Sequence, residues 1–230
     1  MALFAIGDLH LSIAGGKSME KFHGWDDYVR RLENNWKNLI KPEDSVVLAG
    51  DSSWGMNLPE ALPDFRFIDA LPGKKYLLKG NHDYWWMTKA KMDRFFAENG
   101  LTTLNILHNN AIVTDNIAVC GTRGWMLEDG KPEDKKVSAR ESIRLEASLK
   151  FAELLAPDAE KVVFLHYPPL FGRDEASNML ELMQKYGVRR CYYGHIHSDG
   201  CAYAFNGQRY GISFRLISAD FMKFQPLHIQ

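Results

Sequence analysis

Five segments that contain histidine or aspartate constrain this chain more than any other feature, because each directly follows a short apolar run typical of a buried strand. The segments are Gly7-Asp8-Leu9-His10, Gly50-Asp51, Gly80-Asn81-His82-Asp83, His166 and Gly194-His195-Ile196-His197. Open α/β sheets bind their ligands at the carboxyl ends of the strands. We therefore expect these segments, which are far apart in the sequence, to bring polar side chains to one edge of a sheet.

The pattern of apolar residues predicts a layered α/β domain. The runs that precede the five segments predict strands over 2–6, 45–49, 75–79, 161–165 and 189–193. Apolar spacings of three and four predict helices over 25–40, 87–99, 137–155 and 175–186. Turn-forming pairs predict hairpin strands over 106–120, and the tail is expected to add β structure at 202–205, 209–211 and 213–217 around an Asn206-Gly207 turn. Pro59, Pro63 and Pro72 are expected to break up the segment between the second and third strands. No repeat or linker divides the chain, so residues 1–230 are predicted to form one domain with a partly mixed sheet.

Composition excludes several classes of protein. With 46% hydrophobic and 25% charged residues, the chain is not a collagen, a coiled coil or a disordered polymer. Its net charge of −1 gives no support for stable nucleic-acid binding, which usually needs an excess of basic residues. No apolar run approaches the roughly 18 residues of a membrane span, and three scattered cysteines suggest a reducing compartment. We therefore expect a cytoplasmic protein without membrane contact, while the oligomeric state stays open.

The residue types in the five segments suit metal ions. Imidazole and carboxylate together are typical ligands of Zn, Mn and Fe. The candidate ligands are seven: Asp8, His10, Asp51, Asn81, His166, His195 and His197. One ion rarely takes seven such groups, whereas two ions that share a carboxylate can, and such a pair about 3.5–4 Å apart can clamp a phosphate. Taken singly, Asp8 and Asp51 could be helix caps and the others loop or turn residues. The combination of all five segments favours a metal site.

The order of these motifs resembles that of the calcineurin-like metallophosphoesterases, from Asp8 to His197. The resemblance implies a four-layer β-sandwich in which two mixed sheets are flanked by helices, an α+β layered variant of the α/β class. It also implies two divalent metal ions as cofactors, with Mn, Fe and Zn as alternatives. The second motif departs from the family pattern, because Trp54 stands where the family often has aspartate or glycine, which affects the expected shape of the local pocket.

The same resemblance implies a role for each matched residue. Asp8, His10, Asp51 and His197 would hold the first ion. Asp51, Asn81, His166 and His195 would hold the second, so that Asp51 bridges the two. His82 would be the general acid that protonates the leaving group, and Asp83 would orient the ring of His82.

These roles imply a phosphoesterase in which hydroxide bridging the two ions attacks a small phosphoester. Phosphoprotein phosphatases of the superfamily typically carry arginine and glycine shortly after the bridging aspartate, whereas this chain has Ser52-Ser53-Trp54-Gly55. A bidentate guanidinium suits the more highly charged monoester, so its absence there favours a phosphodiester substrate. The alternatives are a phosphomonoesterase on the same site, a hydrolase of a pyrophosphate or carboxylic ester, and a non-catalytic binding scaffold.

Four further residues are candidates for substrate contact. Trp54 and Trp125 could line a substrate cleft or could pack the layers together. Arg123 and Arg173 could bind phosphate oxygens or could belong to solvated loops.

Overall fold

The chain folds into strands and helices over residues 1–126 and 132–230, which are the residues described by the computed structural model. The strands are β1 (Leu3–Ile6), β2 (Ser45–Leu48), β3 (Lys74–Leu77), β4 (Leu104–Ile106), β5 (Ile112–Thr114), β6 (Ile117–Thr122), β7 (Glu160–Leu165), β8 (Leu170–Phe171), β9 (Asp174–Glu175), β10 (Arg190–Tyr193), β11 (Gly207–Arg209), β12 (Ile212–Leu216) and β13 (Leu227–His228). The α-helices are α1 (Tyr28–Leu39), α2 (Leu58–Ala70), α3 (Lys89–Glu98), α4 (Pro132–Leu155) and α5 (Ser177–Lys185). Short 3-10 helices cover Met19–Lys21 and Ser198–Tyr203.

Two mixed sheets form the centre of the fold. The first has the strand order β13-β1-β2-β3-β4, in which β1 to β4 are parallel and β13 is antiparallel. The second has the order β11-β12-β10-β7-β6-β5, with a parallel centre and antiparallel edges. Strands β8 and β9 form a separate small hairpin.

The alternation of side chains along the strands produces four layers. On β1, Ile6 packs with the helices α1 to α3, whereas its neighbour Ala5 lies in the cluster between the two sheets. On β7, Val162 belongs to that same inter-sheet cluster, whereas Val163 packs with α4 and α5. Successive side chains of a strand point to opposite faces, so each sheet is buried on both sides. This arrangement confirms the predicted fold class of mixed sheets flanked by helices.

The proline-rich segment forms a helix, contrary to expectation. Asn57 caps α2 by accepting a hydrogen bond from the Glu60 amide at 3.0 Å, and Pro59 lies in the first turn, where its missing N–H costs nothing. Pro63 lies inside the helix, where proline costs about 3 kcal/mol. Fully buried residues such as Phe65 and Ile68 explain why the helix persists, since their burial contributes a comparable or larger amount.

The C-terminal region also differs from the prediction. A 3-10 helix occupies Ser198–Tyr203, where β structure had been expected to begin at 202. Strands β11 and β12 are joined at Tyr210 and Gly211, whose φ values of 55° and 75° fit a type I′ turn. Asn206 instead accepts a hydrogen bond from the Leu216 amide at 2.9 Å. The prediction of an Asn206-Gly207 turn was therefore wrong.

Other predicted elements are present with small shifts of their ends. Helix α4 begins earlier than predicted, at Pro132, and β4 pairs with β3 in the first sheet instead of joining the hairpin made by β5 and β6. Within 1–126 and 132–230, none of the helices has both the length and the apolar character needed to cross a membrane.

Candidate metal centre

The five polar segments converge at the carboxyl ends of parallel strands from both sheets. In the first sheet they follow β1, β2 and β3, and in the second sheet they follow β7 and β10. Backbone hydrogen bonds join the two sheets at this end. The Gly7 amide donates to the Ile217 carbonyl at 2.8 Å, and the Ala219 amide donates to the Gly7 carbonyl at 3.0 Å. All seven candidate ligands lie at this junction.

A first group of ligand atoms comes from the loops after β1, β2 and β10. The Nε2 atoms of His10 and His197 are 3.2 Å apart. His197 Nε2 lies 3.4 Å from Asp8 Oδ1, and His10 Nε2 lies 3.7 Å from Asp51 Oδ2. These four side chains are the set predicted for the first ion.

A second group of ligand atoms lies on the other side of Asp51. Asn81 Oδ1 is 2.6 Å from His166 Nε2 and 2.9 Å from His195 Nδ1. His166 Nε2 also lies 3.5 Å from Asp51 Oδ2. The same carboxylate oxygen of Asp51 therefore borders both groups, as a bridging ligand must.

These donor atoms fit divalent cations. Ligand atoms bound to one zinc ion at about 2.0–2.1 Å are separated from each other by roughly 3.0–3.4 Å. The distances of 3.2–3.7 Å in the first group and 2.6–3.5 Å in the second lie around this value. The Nε2 atoms of His10 and His197 face each other at 3.2 Å, close enough for two neutral imidazoles to bind one cation. The buried carboxylates of Asp8 and Asp51 supply the negative charge that such a cation needs. These aspartate and histidine groups could therefore hold metal.

Partners outside the cluster orient two of the imidazole rings. His166 Nδ1 lies 3.1 Å from the Ala49 carbonyl, which can only accept, so this nitrogen donates and Nε2 keeps its lone pair. His197 Nδ1 lies 3.0 Å from Asp220 Oδ1, and the other Asp220 oxygen accepts from the Ser198 amide at 2.8 Å. Asp220 was missed in the sequence, although it follows the predicted strand over 213–217 in the same way that the other ligands follow theirs.

The electrostatics of the cluster suit an added cation. Burial lowers the pKa of His10 to about 3, so its ring is neutral at neutral pH and can act as a ligand. Burial opposes protonation of His197 as well, but the carboxylates of Asp8 and Asp220 raise its pKa to about 10. Burial and the charge of Asp8 raise the pKa of Asp51 to about 8. A metal ion would replace the protons that His197 and Asp51 hold, since ligands must be deprotonated to bind it.

The backbone at the ligands is strained. Asp8, His10, Asp51 and His195 have positive φ values of 59°, 46°, 52° and 73°, a region that residues other than glycine rarely adopt. Each such residue costs roughly 1–3 kcal/mol, and strain of this kind is concentrated at functional sites. The fold therefore keeps four candidate ligands in this conformation, which seven other non-glycine residues of the described chain also adopt.

Two glycines leave room for the carboxylates. A Cβ at Gly80 would overlap the Asp51 carboxylate and amide, and a Cβ at Gly194 would overlap the Asp8 carboxylate. The loops after β3 and β10 can approach Asp51 and Asp8 this closely only because both positions lack a side chain.

We expect Gly80→Ala to displace Asp51 and to weaken metal binding, because the added methyl group needs the space of the carboxylate. Overpacking of this kind typically costs about 1–3 kcal/mol of stability. Metal content and Tm measured with and without added Mn²⁺ would check this. Gly207→Ala is the matched control, since a Cβ there meets only Phe205 at an ordinary 3.7 Å. Equal metal binding by the two variants would contradict the prediction.

Asp83 has a different set of partners from the one predicted. Its two carboxylate oxygens accept hydrogen bonds from the amides of Asp51, Ser52 and Gly80 at 2.7–2.9 Å and from Trp85 Nε1 at 3.0 Å. None of its hydrogen bonds within the described parts of the chain goes to the ring of His82. Asp83 therefore ties the β2 and β3 loops together and positions the ligands, while its predicted role of orienting His82 is not supported by a contact.

The ring of His82 borders the two groups of ligands and packs against aromatic rings. Its centroid lies 4.6 Å from that of Trp54 and 5.7 Å from that of His10, and Nδ1 lies 3.5 Å from the Tyr84 hydroxyl. The ring of Trp54 is also stacked on His10 at 4.8 Å. The departure from the family pattern at Trp54 thus places an indole beside His10 and His82.

The remaining candidates lie further from the ligands. Trp125 packs on Tyr167 at 5.0 Å, and Tyr167 packs on His195 at 4.2 Å. The guanidinium of Arg123 stacks on Trp125 at 4.9 Å and lies 3.8 Å from buried Glu141. Arg173 is exposed next to Gly172 between β8 and β9 and forms no ion pair within the described ranges.

Comparisons with known proteins agree with this geometry. The family model described as calcineurin-like phosphoesterase matches residues 1–199. A solved protein of unknown function from Aquifex aeolicus, AQ665, is similar at a TM-score of 0.57 and 17% identity, over 99% of this chain and 95% of that chain. A phosphopantetheinyl hydrolase from Mycobacterium tuberculosis is similar at a TM-score of 0.60 and 14% identity, over 99% of this chain and 95% of that chain. TT1561 of Thermus thermophilus is similar at a TM-score of 0.53 and 13% identity, over 85% of this chain and 81% of that chain. These identities show a shared fold only. The comparison with curated proteins found no match.

Proposed function

This chain belongs to the calcineurin-like phosphoesterase family, a family of metal-dependent hydrolases, and on that premise we propose that it is a dinuclear phosphoesterase acting on small phosphodiesters. The observation that supports two ions is the position of Asp51. One of its carboxylate oxygens lies 3.7 Å from His10 Nε2 and 3.5 Å from His166 Nε2, so it borders both groups of ligands. A single ion would leave one of the groups without a cation.

The bound ions would supply Lewis acidity toward the phosphoryl group and would lower the pKa of water. The residues of this chain would donate the proton to the leaving group and hold the ligands in position. His82 donates a proton to the departing alkoxide, as a general acid placed beside the ligands. The Asn81 carbonyl oxygen faces His166 and His195, so its amide group is held at the edge of the second group, next to His82. Asp83 fixes the backbone of Asp51 by its hydrogen bond to the Asp51 amide.

The test of this function is turnover by metal-reconstituted protein. We expect chelation to abolish hydrolysis of a phosphoester panel and added Mn²⁺, Fe²⁺ or Zn²⁺ to restore it, with elemental analysis identifying the ion and the number bound per chain. The panel should include phosphomonoesters, phosphodiesters, nucleotide sugars and a phosphopantetheinyl ester, because one solved structure of similar fold is a phosphopantetheinyl hydrolase. Turnover of no phosphoester with any of these ions would refute the proposal.

The surroundings of the two candidate arginines support a preference for diesters. Arg123 is engaged by Glu141 and Trp125, and Glu141 is also bonded to Arg144 at 2.6 Å. Arg173 is exposed at a hairpin. Within the described ranges, neither guanidinium contacts a candidate metal ligand, as a clamp for a monoester dianion would require. Arg123 meets His166 only through its backbone carbonyl, which accepts from the His166 amide at 3.0 Å. The metal cluster would therefore act on the singly charged diester.

We expect kcat/KM for bis-para-nitrophenyl phosphate to exceed that for para-nitrophenyl phosphate, measured at matched metal and pH. Both substrates release the same nitrophenolate, so the comparison reports on the charge of the phosphoryl group. A tenfold preference for the monoester, equal to about 1.4 kcal/mol of transition-state binding, would contradict the proposed substrate class.

We also propose that the protein works in the cytoplasm. Its three cysteines are free, and the thiols of Cys120 and Cys191 are buried. Free thiols are typical of reducing compartments.

A further inference from the structure

A cavity of about 340 Å³ lies beside the metal centre, and Trp54, one of its wall residues, also stacks on His10 at 4.8 Å. This volume is within the range of pockets that bind small molecules. The loops after β1 and β2 and the start of α2 form the walls. The residues of the wall that matter below are Ser12, Ala14, Lys17, Trp54, Glu60 and Asp64.

The position of Trp54 indicates that this cavity lies next to His82, on the side of the metal centre from which the leaving group would depart. The indole lines the cavity and also packs against the ring of His82 at 4.6 Å. A general acid must be within hydrogen-bond reach of the oxygen that departs. If His82 is that acid, the rest of the leaving group extends from His82 past Trp54 into the cavity.

The charges in the wall disfavour a charged leaving group. An anion would meet the carboxylates of Glu60 and Asp64, and a cation would meet the ammonium of Lys17. Both oxygens of each carboxylate already accept hydrogen bonds. Glu60 accepts from the Met56 amide at 3.0 Å and from Asn57 Nδ2 at 2.6 Å, and Asp64 accepts from the Ile13 amide at 2.7 Å and from the Ser53 hydroxyl. Lys17 lies 5.0 Å from the centroid of Trp54 and has no ion pair within the described ranges.

The polar groups of the wall instead match hydroxyl groups. Lys17 can only donate, and the remaining lone pairs of Glu60 can only accept. The Ser12 hydroxyl already donates to the Gly15 carbonyl at 3.2 Å and accepts from the Lys17 amide at 3.3 Å, and Asp64 is buried with both oxygens bonded. A hydroxyl group both donates and accepts, so hydroxyl groups on one ring can use Lys17 and Glu60 together. The apolar C–H face of such a ring can pack on the indole of Trp54, which supplies a broad and rigid surface.

We propose that this cavity binds the leaving group of the substrate and that the leaving group is a neutral, hydroxyl-rich ring such as a sugar. This inference rests on the proposed phosphodiesterase function. In the reaction, the oxygen of water forms a new bond to phosphorus, and the bond from phosphorus to the sugar oxygen breaks. The sugar oxygen receives the proton of His82, the attacking water loses one proton to the solvent, and the products are the free sugar and a phosphomonoester.

The test compares two phosphodiesters that both carry a methyl group on one side of the phosphate. The other alcohol is glucose, joined through its primary hydroxyl, in the first ester and cyclohexylmethanol in the second. The two differ chiefly in the ring hydroxyls, and release of methyl phosphate measures both reactions. We expect the wild-type protein to favour the glucose ester at least tenfold in kcat/KM. Ala14→Trp, which fills the cavity, should remove most of that preference, and Lys17→Ala should reduce it at least threefold, mainly through KM.

Matched controls are Ile13→Trp, which adds the same side chain at a neighbouring exposed residue outside the wall, and Lys21→Ala. Both should keep the wild-type preference. A wild-type preference near one, a preference for the cyclohexylmethyl ester, or an unchanged preference in Ala14→Trp would overturn the proposal. If the wild-type protein hydrolyses neither ester, the phosphoester panel described above decides whether the proposed function has failed. The affinity of the glucose ester for the wild type and for Ala14→Trp, measured by calorimetry, then tests the cavity alone. Equal affinities, or no binding to the wild type, would contradict the proposed role of the cavity.

Discussion

Asp51→Ala is expected to lose both metal ions and all measurable phosphoesterase activity. The carboxylate of Asp51 borders both groups of ligands, so its removal takes a ligand from each ion at once. It also leaves Asp8 as the only carboxylate among the seven candidate ligands, facing two doubly charged cations whose repulsion is then poorly compensated. Elemental analysis of the purified variant and the rise of Tm on addition of Mn²⁺ would measure the loss. Binding at a hundredfold excess over Kd stabilises a protein by about 2.7 kcal/mol, and the variant should show none of this.

Two features make this experiment decisive. We expect the variant to fold, because a carboxylate buried beside Asp8 is unfavourable in the absence of metal, the same cause that raises the pKa of Asp51. Asp158→Ala is the control, since that aspartate is exposed and lies before β7, at the opposite end of the strand from His166. A variant at Asp51 that retains two ions per chain and normal turnover would show that the carboxylate does not bridge.

His82→Ala is expected to retain its metal and to lose turnover by roughly 10²–10⁴-fold, the usual contribution of a general acid. The ring packs on Trp54 and His10 beside the cluster, but its hydrogen bond to Asp51 comes from the backbone amide at 2.7 Å, which alanine keeps. The loss should be largest for alkyl esters and much smaller for nitrophenyl esters, because nitrophenolate departs without a proton. Measurements of kcat for both types of ester, with metal content, would establish this.

The control for His82 is His23→Ala, which removes an exposed imidazole outside the site. It should leave kcat unchanged for every ester. An equal loss for good and poor leaving groups in His82→Ala would remove His82 from the role of acid. Loss of metal in His82→Ala would instead indicate that His82 is a metal ligand.

Much of this molecule could be predicted from local patterns. The apolar runs before Asp8, Asp51 and His166 identify buried strands, because a strand covered on both faces has to be apolar throughout. The glycine, histidine and aspartate residues that follow them identify the edge at which ligands meet, because parallel strands end there together. The incorrect predictions were also made from local patterns. The helix that contains Pro63 and the turn at Tyr210 depend on packing and pairing that a short window does not show.

The sequence by itself determined which candidate ligand types this protein has and in what order they occur, since residue chemistry and the periodicity of burial can be read from neighbouring residues. Only the tertiary structure decided which atoms meet. The partners of Asp83, the contact of Asp220 with His197 and the cavity beside Trp54 all join loops that are distant in the chain. Such contacts depend on how the two sheets pack and on glycines such as Gly80 that let the loops approach, so no local pattern specifies them.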